Sequence, residues 1–268
     1  MKYNNIIKLC SAIICGSVLL MGCEKNKLSL SDNIDPSNGG YFKLGWVSPG
    51  MNTQGVQLKI NGQRVSNQLG FRFTSTTQYV MPFPGGGLNT GGNNKNDYLA
   101  VDTTNLQIEL SIPKVGTNED SLKVYSTTMQ IGRGKYNTLM VTDSFPNVTS
   151  YVLDDNTTYA DSGFVRLNFT NAIPNVGGGV DFLVTNTSRT DIVLASNIQY
   201  KESSGFITIP LVTGTNTFKL RKNGTTATLG TTYGTSSVTN KRCFTVVARG
   251  HVGKTGIWGP SISLIFNK

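Results

Sequence analysis

The chain repeats itself, and that repetition constrains its fold more than any other feature. Phe42-Lys43-Leu44-Gly45-Trp46 alternates apolar and other residues as Val165-Arg166-Leu167-Asn168-Phe169 does 123 positions later. Gly55-Val56-Gln57-Leu58-Lys59-Ile60 matches Gly179-Val180-Asp181-Phe182-Leu183-Val184 at 124, and Met81-Pro82-Phe83 aligns with Ile209-Pro210-Leu211 at 128. The offset then falls. Ile108-Glu109-Leu110 pairs with Phe218-Lys219-Leu220 at 110, and Tyr136-Asn137-Thr138-Leu139-Met140-Val141 with Cys243-Phe244-Thr245-Val246-Val247-Ala248 at 107. Self-similarity of this kind marks one structural unit built twice. The fall in offset puts about eighteen extra residues into the first copy, where Pro84-Gly85-Gly86-Gly87 and Gly91-Gly92-Asn93-Asn94-Lys95-Asn96 lie. They read as a loop insertion over about 84–105 rather than a third domain.

Each unit reads as β. Short β-branched and aromatic runs alternate with turn residues from Tyr41 onward, and no window carries a helical period. Asn61-Gly62 and Asn223-Gly224 sit between alternating segments and are expected to form type I′ hairpin turns. About seven strands per unit in roughly 105–120 residues matches an immunoglobulin-like sandwich. The expected fold is all-β, two tandem immunoglobulin-like β-sandwich modules at 41–158 and 159–268. Their boundary is expected in the polar stretch from Asp154 to Asp161.

Ahead of the modules, Lys2 and Lys8 precede an apolar run that closes on Leu20-Met21-Gly22-Cys23. A positive n-region, a short apolar run and a small residue before the cut read as a secretory signal peptide, residues 1–22. Leu20, Gly22 and Cys23 resemble a bacterial lipobox, which implies a diacylglycerol and a fatty acyl group such as palmitate on Cys23. Several acyl chains on one residue anchor far more firmly than one, at about 0.8 kcal/mol per buried methylene. Residues 23–40, polar and rich in Asp, Ser, Asn, Pro and Gly, read as a tether that cannot bury a core.

Cysteine use follows from this. Cys10 and Cys15 lie in the signal and Cys23 takes lipid, so Cys243 has no disulfide partner and reads as a small buried hydrophobe. Charge is uneven. From Lys201 to Lys268 there are nine basic residues and one acid, Glu202. Such a half could meet anionic lipopolysaccharide, acidic glycans or phospholipid headgroups, or serve as a solvated face. Nucleic acid is not an expected partner of an exported, anchored chain.

The paired modules resemble bacterial lipoproteins with tandem copies of the domain of unknown function 4397. The likeness runs through Leu44-Gly45-Trp46-Val47-Ser48-Pro49 with Val56-Gln57-Leu58, and through Leu167 to Pro174 with Val180-Asp181-Phe182. It continues in Gly134-Lys135-Tyr136-Asn137-Thr138, in Lys241-Arg242-Cys243-Phe244-Thr245, and in Ala248-Arg249-Gly250 with the Gly-rich loop that runs to Ser263-Leu264-Ile265. Gln57, where the family usually shows an acid, and the first-module insertion depart from it. The resemblance implies a sandwich fold and no established activity.

Chemistry is sparse. His251 is the single histidine, and there is no Gly-x-Ser-x-Gly elbow. His251 with Cys243 falls short of the four ligands of a zinc site, so no metal and no cofactor are expected. Gly253-Lys254-Thr255 lacks the earlier glycine and the following helix of a phosphate loop. Trp46 is expected in the core, whereas Trp258, between Gly256-Ile257 and Gly259-Pro260, is a candidate for an exposed ring. With His251 and Lys254 it forms a candidate ligand patch, the competing role being a plug over an edge or the inter-module contact. Asp102-Thr103-Thr104 and Asp120-Ser121-Leu122 resemble O-glycosylation acceptors, at Thr103 and Ser121.

The expectation is a non-enzymatic, lipid-anchored β-sandwich protein of the cell envelope at the outer membrane. Its partners would be the membrane through the lipid and a glycan or envelope protein, in an adhesion, scaffold or ligand-presenting role. The alternatives are a carbohydrate-binding accessory lipoprotein and a pilus-like assembly subunit.

Overall fold

The computed structural model describes residues 39–47, 56–67, 69, 72–73, 78–79, 82–85, 97–102, 105–114, 117, 119–144, 146–155, 158–185, 190–211 and 216–268. The lipobox, the tether up to residue 38, Thr103 and most of the first-module insertion lie outside them, while Gly40 at the tether's end already belongs to the first strand. The described residues form no α-helix; the chain is all-β, built as two sandwiches of paired four-stranded sheets.

The first module opens with β1 (Gly40–Trp46), β2 (Gln57–Ile60) and β3 (Gln63–Arg64), followed by a small hairpin, β4 (Arg72–Phe73) with β5 (Gln78–Tyr79). It continues with β6 (Leu99–Val101), β7 (Leu106–Pro113), β8 (Asp120–Met129), β9 (Tyr136–Thr142) and β10 (Thr149–Asp154). The second runs β11 (Phe164–Asn171), β12 (Val180–Thr185), β13 (Asp191–Ile198), β14 (Ser203–Pro210) and β15 (Thr217–Lys222). It ends with β16 (Tyr233–Gly234), β17 (Cys243–Arg249) and β18 (Ser261–Phe266). Sheet orders repeat: β6-β1-β9-β10 over β3-β2-β7-β8, then β14-β11-β17-β18 over β13-β12-β15-β16. In both copies the first strand pairs parallel with a late one, β1 with β9 and β11 with β17. Among the described residues each module thus has eight equivalent strands rather than about seven, and the first also carries the β4–β5 hairpin.

Strand register corrects two of the sequence alignments. Val47 N–H donates to Val141 and Ala172 N–H to Ala248, so β1 matches β11 at 125 residues rather than 123. A slip of two keeps every side chain on its face, so alternation alone cannot detect it. The offsets of 124 and 110 hold, since Leu58 lies opposite Leu110 as Phe182 lies opposite Leu220, but that of 128 does not: Phe83 bridges Leu44, whereas Leu211 N–H donates to Gly163 before β11. The insertion also ends sooner than residue 105. Phe83 bridges Leu44, while Leu99 lies opposite Phe42 as Ile207 lies opposite Leu167. It therefore splits one edge strand, whose second half is β6.

Turn chemistry agrees in one copy. Asn61 and Gly62 have φ of 51° and 79°, the paired positive values of a type I′ turn. At Asn223-Gly224 only the glycine is positive, and Thr225 N–H closes the turn onto Lys222, so that hairpin is not type I′.

Apolar residues on one face of each strand fill a core per module. Phe42, Leu44, Trp46, Leu58, Ile108 and Leu139 sit in the first. In the second, Phe169 stacks on Phe182 at 4.9 Å and Phe182 lies 5.0 Å from Phe218. The sheets containing β1 and β11 are buried on the other face too, because they pack against each other. Val47, Met140, Leu153, Ala172, Val247 and Ile265 make a third core between the modules. The strand registers pair these as equivalents: Val47 with Ala172, Met140 with Val247, Leu153 with Ile265. The modules therefore meet through matching faces about a local two-fold axis, the way an isologous dimer does.

Candidate functional site

The seam between the modules gathers the most strongly perturbed titratable groups of the described chain. Lys43 follows Phe42 on β1, so alternation turns it away from the first core and onto the seam. It is fully buried, and its Nζ donates to the Phe266 carbonyl of β18 at 2.8 Å. The same ammonium lies 4.1 Å from the centroid of the Tyr98 ring. Asp155, just past β10, accepts hydrogen bonds from Thr138 Oγ1 at 2.6 Å, Tyr98 Oη at 3.0 Å and Asn267 Nδ2 at 2.9 Å. Register makes Asp155 and Asn267 equivalents, as it does Thr138 and Thr245. Thr245 bonds Asn267 just as Thr138 bonds Asp155. The network is the two-fold pattern with one amide exchanged for a carboxylate.

Burial dominates the electrostatics. Desolvation raises the Asp155 carboxyl to about 6, against the opposing pull of its three donors and the Lys43 charge. Desolvation likewise lowers Lys43 to about 8, opposed by Asp155 and Asp97. Burial and the neighbouring Asp155 charge push Tyr98 far up. Burial also raises Cys243 to about 12, and that thiol, in no disulfide among the described residues, lies buried inside the sheet. These groups are enclosed by both modules and act as fastenings. Tyr151 Oη with Thr170 Oγ1 at 2.9 Å, and Thr142 Oγ1 donating to the Ala172 carbonyl at 2.8 Å, complete the seam.

His251, Lys254 and Trp258 all lie on the loop joining β17 to β18. His251 N–H donates to the Trp258 carbonyl and Lys254 N–H to the His251 carbonyl, so the backbone gathers the three. Their side chains diverge in role. His251 Nε2 shares a 3.1 Å hydrogen bond with Ser144 Oγ of the first module, its equivalent across the axis. Its pKa is lowered by desolvation and by Lys254, against Asp143. Lys254 is exposed and Trp258 half-buried. Asn175 clamps the loop, its Oδ1 accepting from Val252 N–H at 2.9 Å and its Nδ2 donating to the Val252 carbonyl at 3.0 Å. After Lys254 comes a three-residue 3-10 turn, Gly256–Trp258, and not the helix of a phosphate loop. Trp46 is buried in the first core.

Two positions singled out in the sequence have structural partners. Asp181, at the position where the resembled family shows an acid, accepts from Ser196, Asn197 N–H, Asn223 and Arg221. Gln57, its counterpart, is buried opposite Ser111. There the ionic partnership moves to Lys59 and Asp120, with Ser111 Oγ donating to Asp120 at 2.7 Å. Cys23 and Thr103 lie outside the described residues, and of Ser121 only its backbone, in β8, is described. Among the described residues no group of three or more His, Cys, Asp or Glu is placed to hold a metal ion. No described helix is long and apolar enough to cross a membrane.

No family model and no curated protein matches the chain. Among solved structures it is similar to a leucine-rich repeat protein from Bacteroides thetaiotaomicron VPI-5482 at 16% identity and a TM-score of 0.22, over 82% of this chain and 26% of that one. The chain thus spans about a quarter of that protein's length, and a likeness so distant carries no argument about function.

Proposed function

We propose that the chain is a lipid-anchored, non-enzymatic protein of the cell envelope that holds a rigid two-module body at the outer membrane for adhesion, scaffolding or ligand presentation. Leu20-Met21-Gly22-Cys23, after a signal-like apolar run, carries this reading. The fold supports it in two ways. Every described strand lies at Gly40 or beyond, so acylation at Cys23 leaves the sheets untouched. The third core and its flanking hydrogen bonds join the modules into one body, which suits presentation more than a hinged clamp.

Mass spectrometry of the mature N-terminal peptide tests the anchor. Acyl groups on Cys23 are expected, and Cys23→Ser should move folded protein from the membrane to the soluble fraction. An unmodified Cys23, or a variant that stays with the membrane, refutes the reading. Crosslinking from intact envelope should then recover a defined partner, and a robust hydrolytic activity in the soluble form would overturn the non-enzymatic assignment.

A further inference from the structure

We infer that the end of the body where the N-terminal chain enters is a docking face for anionic phospholipid headgroups. This rests on the lipid-anchored reading above. β1, β9, β11 and β17 all begin at this end, which contacts across the seam keep in line: Asn267 meets Asp155 here, and His251 meets Ser144 at the other. The chain enters at Gly39, whose carbonyl accepts from Gly134 N–H at 2.9 Å, while Tyr41 N–H donates to Lys135. Fifteen residues separate Cys23 from Gly39, a reach of at most about 55 Å. The lipid therefore holds this end within a fixed radius of the bilayer.

That end is cationic and aromatic. The turn before β9 carries exposed Lys135, and the equivalent turn before β17 carries exposed Lys241 and half-buried Arg242. Gly134 and Lys241 share the left-handed backbone, φ 67° and 65°, so the two turns present their charges alike. Between the modules Tyr159, 55% exposed, lies 5.0 Å from Lys268 Nζ and 5.9 Å from the Arg242 guanidinium. Arg133 and Arg166 add positive charge, each with partners of its own. Among the described residues the acids here are Asp102, Asp154, Asp161 and Asp191; Asp154 accepts from Asn137, Asp191 pairs with Lys219, and Asp155 is enclosed with Lys43. Cations thus outnumber acids around an exposed tyrosine, a ring type suited to the headgroup layer. Phosphatidylglycerol-like headgroups supply the complementary charge, and the tether supplies the proximity.

The test uses the unlipidated chain from Glu24 to Lys268, which keeps every described strand, with vesicles of phosphatidylcholine with or without phosphatidylglycerol. Binding is expected only to the anionic vesicles, and it should weaken with salt. Replacing Lys135→Gln, Lys241→Asn, Arg242→Gln and Lys268→Gln together should weaken it on the order of six hundredfold, since each cation near the surface contributes roughly a fivefold factor. Because Arg242 also lies 5.4 Å from the Phe266 ring, a second variant retains it and should still lose on the order of a hundredfold. Lys201→Gln, Lys222→Gln and Lys254→Gln at the far end should change binding by less than about twofold. The face is refuted by equal binding to both vesicles, by full binding in the near-end variants, or by equal loss in the far-end variant. Because this protein carries no lipid, these outcomes are independent of whether Cys23 is acylated.

Discussion

Asp155→Asn should stabilise the protein at neutral pH and erase one limb of its pH dependence. The carboxyl titrates at about 6 in the fold against 3.8 ordinarily, because burial outweighs its donors and Lys43. A folded pKa above the unfolded value means that folding favours the protonated acid. The contribution to stability is full below about pH 4, declines as pH rises toward 6, and is absent above. At about 1.36 kcal/mol per pKa unit, the gap between 3.8 and about 6 corresponds to about 3 kcal/mol. Asparagine has the shape of the protonated acid and cannot ionise. Its oxygen can accept from Asn267 Nδ2, and its amide can donate to the Thr138 and Tyr98 hydroxyls, which rotate to receive it. Allowing about 1 kcal/mol for an imperfect exchange leaves a gain of about 2 kcal/mol at pH 7 and little at pH 4.

Urea unfolding of wild type and variant across this pH range measures the difference directly. Asp120, Asp181 and Asp191, all lowered, run the opposite way and lose their stabilisation as pH falls, but they cancel in the comparison. A gain of this size raises Tm by about 4–8 °C in a chain of this length. The competing expectation is that removing one member of a buried ion pair strands the other, at about 3–5 kcal/mol. A variant less stable than wild type at pH 7, or a difference curve flat between pH 4 and 6, would show that Lys43 depends on the Asp155 charge and refute the reasoning.

Asp181→Ala removes the acceptor shared by Arg221, Asn197 N–H, Asn223 and Ser196 and should cost about 3 kcal/mol at pH 7 in chemical unfolding. The cost should shrink as the wild-type carboxyl is protonated at acid pH, since its hydrogen bonds hold that pKa down despite burial. Met140→Ala opens the third core and should destabilise by about 2–4 kcal/mol, measured by the same unfolding. Gly250→Ala places a methyl against the Gly259 carbonyl at φ 101°, and should lower Tm by several degrees through at least about 2 kcal/mol of strain.

The sandwiches were legible because each strand has one face in its own core, which leaves the alternation visible from Phe42 to Phe266. Register was legible only up to even slips, as β1 shows. The seam was not legible. On β1, β9 and β11 it is lined by Lys43, Thr138, Asn168 and Thr170, polar residues at the positions where an alternating strand meets solvent. One signal did exist. Val246-Val247-Ala248 breaks the alternation of β17, all of whose residues are buried, as in a strand covered on both faces. The candidate patch fared differently, because a lone histidine in a Gly-rich loop gives no hint that its partner is Ser144, more than a hundred residues earlier.

Three differences between the two copies lie on the faces that meet at the seam. A chain repeated without change would place Asp155 against another aspartate, and two carboxylates in contact cannot both ionise. Asn267 instead donates to Asp155, so one exchange turns repulsion into a hydrogen bond. Ser144 against His251 is a second complementary pair. Gly45 is a third difference: a Cβ there would collide with Met140 Sδ, whereas its counterpart Thr170 bonds Tyr151. Each module therefore fits the other better than it would fit a copy of itself. Divergence of this kind favours closure within one chain over assembly between chains, and makes the docked pair, not the single sandwich, the structural unit of the protein.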